Sequence, residues 1–356
     1  MIQQNYSQKL DFLIEANKSF AIFRLPDTTE VQFVMQSDGE PELLYNYAEL
    51  SGKSGYVFAP FRLSEDTPIV LIHPDCTNLN EVTTENIVTN NWVEKGITVN
   101  IDKYKYFKLF DKFYQPLSDG TMKKIVLSRS KTIKKSKSFS AGEAFFRAID
   151  KYKHSYVYLF HSPITGTWLG STPEMLLSGS DNVWQTVALA GTRYPNKGNV
   201  SWDDKNLLEQ HLVTSYLLNQ LATFNIFPEI NGPYTARAAN LAHLRTDLIF
   251  KLKETANLGL LIKSLHPTPA VSGLPKEDAY KYIEDNEGYN RRYYTGFLGK
   301  IDLDKSTNIY VNLRCMEISK SLLTLFSGSG LVLSSNPKDE WNETEQKLKT
   351  MASIVN

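Results

Sequence analysis

The residues of this 356-residue chain best suited to chemistry are acidic and basic groups set among apolar neighbours. Glu340, Glu343 and Lys347 fall three and four apart, a spacing that puts them on one face of a helix. Taken alone, such a triplet describes a salt-bridged solvent face. Trp341 and Leu348 shift the balance by giving the same segment an inward-packing side. Just upstream, Gly328-Ser329-Gly330 reads as a tight turn whose bare backbone N–H groups could meet an anion. Carboxylates beside such a backbone suit a hard divalent cation bridging protein and anionic ligand, and Mg²⁺ takes only one or two protein carboxylates. Glu209, which borders Leu207, Leu208 and Leu212, is a second candidate ligand. An ion pair with Arg or Lys would serve it equally well.

In WLGSTPEMLL, Glu174 stands between two apolar stretches. A carboxyl buried there would hold its proton near neutrality, as a general acid must; a Glu that caps the turn after Pro173 is an equal alternative. Lys123 and Lys124 open a strand and so point to opposite faces. The one that shares its face with Val126 would lose proton affinity on burial and become a usable base. Arg314, at the end of an apolar strand, offers a fork for a carboxylate or for a structural ion pair. His243 and His266 read as structural histidines rather than metal ligands, since neither lies in an HxH or HExxH pattern.

The elements that must hold these groups follow from periodicity. Short strands are expected at 20–25, 31–35, 56–61 and 69–73, then a helix before a strand at 124–130. The clearest helix spans 201–224, with Ser201 as its cap and Asp203 and Asp204 in its first turn. Further helices cover 276–287 and 336–354, the latter with Asn336 as cap and Pro337 at its first position. Strand-like runs occupy 184–190, 309–314 and 322–326, and the Ser/Lys-rich segment 131–138 reads as a solvated turn. Strands that outnumber helices and cluster as hairpins predict an α+β architecture in one domain over 1–356, not a doubly wound parallel sheet.

Composition narrows the function class. Lys plus Arg equals Asp plus Glu at 39 each, so the basic excess of a nucleic-acid or membrane-surface binder is missing. Two distant cysteines, Cys76 and Cys315, rule out a disulfide framework or thiolate zinc site and suit a reducing cytosol. No apolar run approaches the ~20 residues that span a bilayer. The expectation is a soluble cytoplasmic protein without nucleic-acid or membrane partners.

Beyond these local readings, the chain resembles the chorismate-utilising enzymes: isochorismate synthase, salicylate synthase and the chorismate-binding chains of anthranilate and aminodeoxychorismate synthases. The likeness runs from about Lys124 to Met351 through ordered motifs, among them KIVLSR at 124–129, WLGSTPEMLL at 168–177, ALAGTR at 188–193, EQHLV at 209–213 and HLRT at 243–246. HPTPAVSGLP at 266–275, EGYNRRYYTGFLG at 287–299, NLRCME at 312–317, FSGSGLVLSSNP at 326–337 and EWNET at 340–344 continue it. Residues 1–100 match only weakly.

The resemblance implies a single α/β sandwich of extended antiparallel sheets flanked by helices, with the active site in a cleft. It implies Lys124 as the base that activates water and Glu174 as the acid that protonates the departing hydroxyl. It implies Mg²⁺ on Glu209 and Glu343 with Glu340 nearby, and substrate contacts from Gly191, Thr192, His243, Arg314, Gly328 and Lys347. Aminodeoxychorismate synthases carry a lysine nucleophile where this chain has Ala190, and ammonia-using relatives lack the base at Lys124. Water is therefore the expected nucleophile, and no amidotransferase subunit is required of what should be a monomer. Salicylate synthases depart from the HPTPA pattern kept at 266–270, so the implied product is isochorismate, destined for menaquinone or a catechol siderophore. The alternatives are salicylate synthase and a catalytically silent chorismate-binding protein.

Overall fold

Alternation of side chains decides the layering. In strand Gly55–Ala59, Tyr56 and Phe58 join one buried cluster while Val57 and Ala59 join another. Strand Ile69–Ile72 repeats this, with Val70 and Ile72 set against Ile69 and Leu71. A strand buried on both faces must have a layer above and below it. The computed structural model, which describes residues 2–83, 99–193, 201–238, 241–252, 257–302 and 304–355, meets this demand with two stacked sheets whose strand pairs are antiparallel.

Among the described residues the first sheet has eight strands. They run in the order Gly273–Leu274, Lys124–Lys134, Leu322–Leu331, Cys315–Ile318, Gly166–Thr172, Tyr156–Ser162, Ser19–Arg24 and Val31–Gln36. The second has nine: Glu229–Ala238, Leu241–Lys251, Val183–Arg193, Met175–Ser180, Ser306–Val311, Phe297–Ile301, Gly55–Ala59, Ile69–Ile72 and Glu42–Leu44. An aromatic layer fills the space between them. The rings of Phe58 and Tyr293 stack at 4.7 Å and those of Tyr156 and Tyr310 at 4.3 Å. Their polar tips are satisfied within that layer: the Tyr56 and Tyr156 hydroxyls lie 2.8 Å apart, and Tyr158 donates to Asn312 Oδ1 at 2.5 Å.

Seven helices are described: α1 (Ile2–Glu15), α2 (Lys103–Ser118), α3 (Ala141–Lys151), α4 (Asp204–Ala222), α5 (Leu258–Leu265), α6 (Lys276–Asn286) and α7 (Pro337–Ala352). Leu10 and Leu13 of α1, Phe145 of α3, and Leu348 and Met351 of α7 cover the outer face of the first sheet. Val213, Leu217 and Leu221 of α4, with Leu261 and Ile262 of α5, cover the second. Helices α2 and α6 pack against Ile125 and Leu127 near the first sheet's edge.

The expected α+β sandwich is therefore present, with local corrections. Helix α4 starts later than predicted, because the Asp203 carboxylate, not Ser201, accepts from the Asn206 N–H at 3.0 Å. The 124–130 strand continues to Lys134, since Lys131–Lys134 pair with Leu325–Leu322, which removes the first half of the expected basic turn. Gly328-Ser329-Gly330 is no turn either. It lies inside strand Leu322–Leu331, opposite Ser128, Leu127 and Val126. The strand expected at 309–314 ends at Val311. Helices α1, α3 and α5 escaped the sequence reading.

Two short segments carry the chain from one sheet to the other. Pro173 and Glu174 join Gly166–Thr172 of the first sheet to Met175–Ser180 of the second, while 312–314 lead back from Ser306–Val311 to Cys315–Ile318. The two crossings are bonded to each other: Val311 N–H donates to the Glu174 carbonyl at 2.9 Å and Ser171 N–H to that of Arg314 at 3.1 Å.

Candidate active site

At this sheet crossing a cavity of about 670 Å³, open mouth included, gathers residues from distant parts of the chain. Lys124 enters from the start of its strand. Alternation sends Lys124 and Val126 into the cavity while Lys123 faces solvent. Glu174 enters from one sheet crossing and Arg314 from the other, where Arg314 holds a positive φ of 46° that aims it off the strand line.

Burial dominates the electrostatics. It pushes the Glu174 carboxyl up to about 7, against a hydrogen bond at 3.2 Å from Thr268 Oγ1 and the charges of Lys124 and Arg314. Burial lowers the proton affinity of Lys124, opposed by Glu209 and Glu174. The cavity thus sets a carboxyl of raised proton affinity against an amine of lowered proton affinity. Space for the amine comes from Gly330, where a Cβ would lie 2.8 Å from Lys124 Cε.

Elsewhere in the cavity lining, His243 Nδ1 donates to the Gly191 carbonyl at 2.7 Å, which leaves Nε2 as acceptor 3.4 Å from Arg314 Nη2. Burial and Arg314 hold this imidazole down at about 3, so it stays neutral and orients the guanidinium. Gly191 has φ +66°, and a Cβ there would meet Asn206 Oδ1 at 2.9 Å. Lys347 donates to Glu343 Oε1 at 2.6 Å and to the Gly328 carbonyl at 2.9 Å, and so ties α7 to the strand beneath it.

Three carboxylates stand on two helices. Glu209 lies in the middle of the buried face of α4, between Asn206, Gln210 and Val213, whereas Leu207 and Leu208 face outward, 45% and 46% exposed. Glu209, expected only to border the apolar stripe of this helix, is itself part of its buried face. From α7, Glu343 lines the cavity, and Glu340 lies behind it, lining a neighbouring outer pocket. Burial and the neighbouring Glu343 raise the Glu340 carboxyl, while Lys347 and Lys205 outweigh burial at Glu343 and hold it low. Among the described residues no three acidic, histidine or cysteine side chains form a ready-made cage. The donors are nonetheless all oxygen, and Glu340 Oε2 is buried without a hydrogen-bond partner. Such a set suits a hard divalent cation that keeps some of its waters.

Of the residues singled out by sequence, Lys124, Glu174, Gly191, Glu209, His243, Arg314, Gly328, Glu343 and Lys347 line one cavity. Glu340 stands just outside it, and the Thr192 side chain lies outside the described residues. His266 is elsewhere, its ring against those of Tyr47 and Phe297. Sequence reasoning missed Lys205, whose spacing of four before Glu209 was a usable signal, and Thr268, which lies in the HPTPAVSGLP motif but received no role.

Residues 66–356 match the profile of the family described as chorismate binding enzyme. The isochorismate synthase EntC of Escherichia coli K12 is 31% identical over 243 residues, which cover 65% of this chain and 62% of that protein. For the isochorismate synthase MenF of the same strain the figures are 28% over 265 residues, 71% and 61%. The chain thus spans less than two thirds of the length of these curated relatives. A solved Bacillus anthracis structure, assigned as a 2,3-dihydroxybenzoate-specific isochorismate synthase, superposes with a TM-score of 0.79 at 26% identity, covering 98% of this chain and 99% of that one.

Proposed function

Because the chain belongs to the chorismate-binding enzymes, we propose that it is an isochorismate synthase, an isomerase that adds water at C2 of chorismate and expels the C4 hydroxyl. One observation carries this reading: a lysine with lowered proton affinity and a carboxyl raised to about 7 line the same cavity. Neutral Lys124 Nζ takes a proton from the water that attacks C2. As the C2–O bond forms, the ring double bond shifts and the C4–O bond breaks. Glu174 gives its proton to the departing oxygen, so one water enters and one leaves. Each group contributes roughly 100- to 10,000-fold to such a rate.

Arg314, beside His243, and Lys347 would bind the carboxylates of the substrate. The deep position of Glu174 and the aromatic layer beside it keep bulk water from competing with the attacking molecule. Glu209 and Glu343, with Glu340 behind them, would hold Mg²⁺, which when bound offsets the charge of a substrate carboxylate.

Product analysis tests the proposal. Chorismate incubated with the protein and Mg²⁺ should yield isochorismate without stoichiometric pyruvate. Salicylate and pyruvate in equal amounts would convert the reading to salicylate synthase, and binding without turnover would make the protein a silent chorismate binder. The product suits menaquinone or catechol siderophore synthesis.

A further inference from the structure

Lys205 is the residue the proposed reaction leaves unused. It sits in the first turn of α4, one turn before Glu209, and its ammonium lies 2.5 Å from Glu340 Oε1 on α7 and 3.8 Å from Glu209 Oε1. Its charge therefore joins carboxylates from two helices, which is the task of a bridging cation. The outer pocket, lined by Lys205, Asp203, Asp339 and Glu340, lies beside it, and the Lys205 side chain is already 24% exposed there.

We infer that Lys205 is a built-in counter-ion of this carboxylate cluster, and that a divalent cation binds by displacing its ammonium into the outer pocket. The inference rests on the assignment of Glu209 and Glu343 as metal ligands under the proposed function. Lys347 already pairs with Glu343, so Lys205 serves Glu340 and Glu209; without it these two acidic groups would face each other in a buried space and loosen the α4–α7 junction. With the ammonium and a divalent cation both in contact with the same oxygens, two positive centres would repel at short range. Exchange avoids both states. Four flexible methylenes let the lysine swing outward, where Asp339 offers a new acceptor beside Asp203, which already caps α4 and pairs with Arg193. Metal affinity is then set by a difference, the carboxylates' preference for the metal over their own lysine. The site stays assembled between turnovers.

Two measurements test this. Mn²⁺ binding, followed by the loss of its free electron-spin signal, should be at least 10-fold tighter in Lys205→Met than in the wild type, because the competitor is gone. Separately, reductive methylation of the intact wild-type protein should label Lys205 several-fold faster with saturating Mg²⁺ than with chelator, a result that needs no variant to fold. Equal or weaker Mn²⁺ affinity in the variant, or labelling that Mg²⁺ leaves unchanged, overturns the exchange while the metal assignment stands. Failure of both proteins to bind Mn²⁺ overturns the two together.

Discussion

Lys124 and Glu174 illustrate how burial makes reagents out of ordinary side chains. Each sits within a few per cent of full burial, and each departs from its usual proton affinity in the direction that favours its neutral form. Under the proposed reaction both must be neutral at once. Activity should fall at low pH as Lys124 gains a proton, and at high pH as Glu174 loses its own near pH 7, giving a bell-shaped profile of kcat/KM. Lys124→Ala should lower kcat by roughly 100- to 10,000-fold; unchanged turnover would remove it from the chemistry. Glu174 also carries a stability cost. Its folded value of about 7 lies above the unfolded 4.5, so the native state binds the extra proton and stability declines as pH rises between these values. Glu174→Gln should erase about 3 kcal/mol of that decline. Chemical denaturation at pH 8 should therefore find the inactive variant more stable than the wild type.

At the scale of elements, the strand that bears Lys124 is held from below by a buried ion pair. Arg291 Nε and Nη2 donate to Glu287 at 2.6 Å, and both side chains are essentially inaccessible. The same guanidinium donates to the carbonyls of Val126 and Val271, and Glu287 Oε1 accepts from the Ser128 N–H at 2.7 Å. This clamp fixes both strand Lys124–Lys134 and the loop that carries Thr268 toward Glu174. Glu287→Ala leaves a buried arginine without its charge partner and should cost about 3–5 kcal/mol. Urea unfolding measures that loss, and an effect below 1 kcal/mol would show that the clamp is dispensable. Both residues lie in EGYNRRYYTGFLG, where sequence resemblance marked the motif without giving either a role. Their function depends on strand backbone more than 150 positions away, beyond the reach of local spacing.

For the molecule as a whole, the two sheets divide the work. The first supplies Lys124, the second carries Gly191 and His243 in its strands, and the crossings between them supply Glu174 and Arg314. Helices α4 and α7 close the cavity with carboxylates, so a proposed metal would join elements anchored to opposite sheets. Turnover should accordingly vanish with excess chelator and return on adding Mg²⁺; activity that persists after exhaustive chelation would remove the metal from the mechanism. No described helix is long and apolar enough to cross a membrane.

Much of this was legible without coordinates. Alternation at Lys123-Lys124 foretold which amine turns inward, helical spacing put Glu340, Glu343 and Lys347 on one side of α7, and Asn336-Pro337 marked where that helix begins. These features depend on residues within a turn or two of each other, and such short-range order is written into local sequence. Tertiary structure alone decided the rest. Gly328–Gly330 looked like a turn because glycine permits one, yet ten residues of partner strand hold it extended. Leu207 and Leu208 are the apolar neighbours of Glu209, yet packing of α4 on its sheet leaves both exposed and turns Glu209 inward. Which side chain is desolvated, and hence which one becomes an acid, a base or a ligand, is set by surfaces that meet only after the chain has folded.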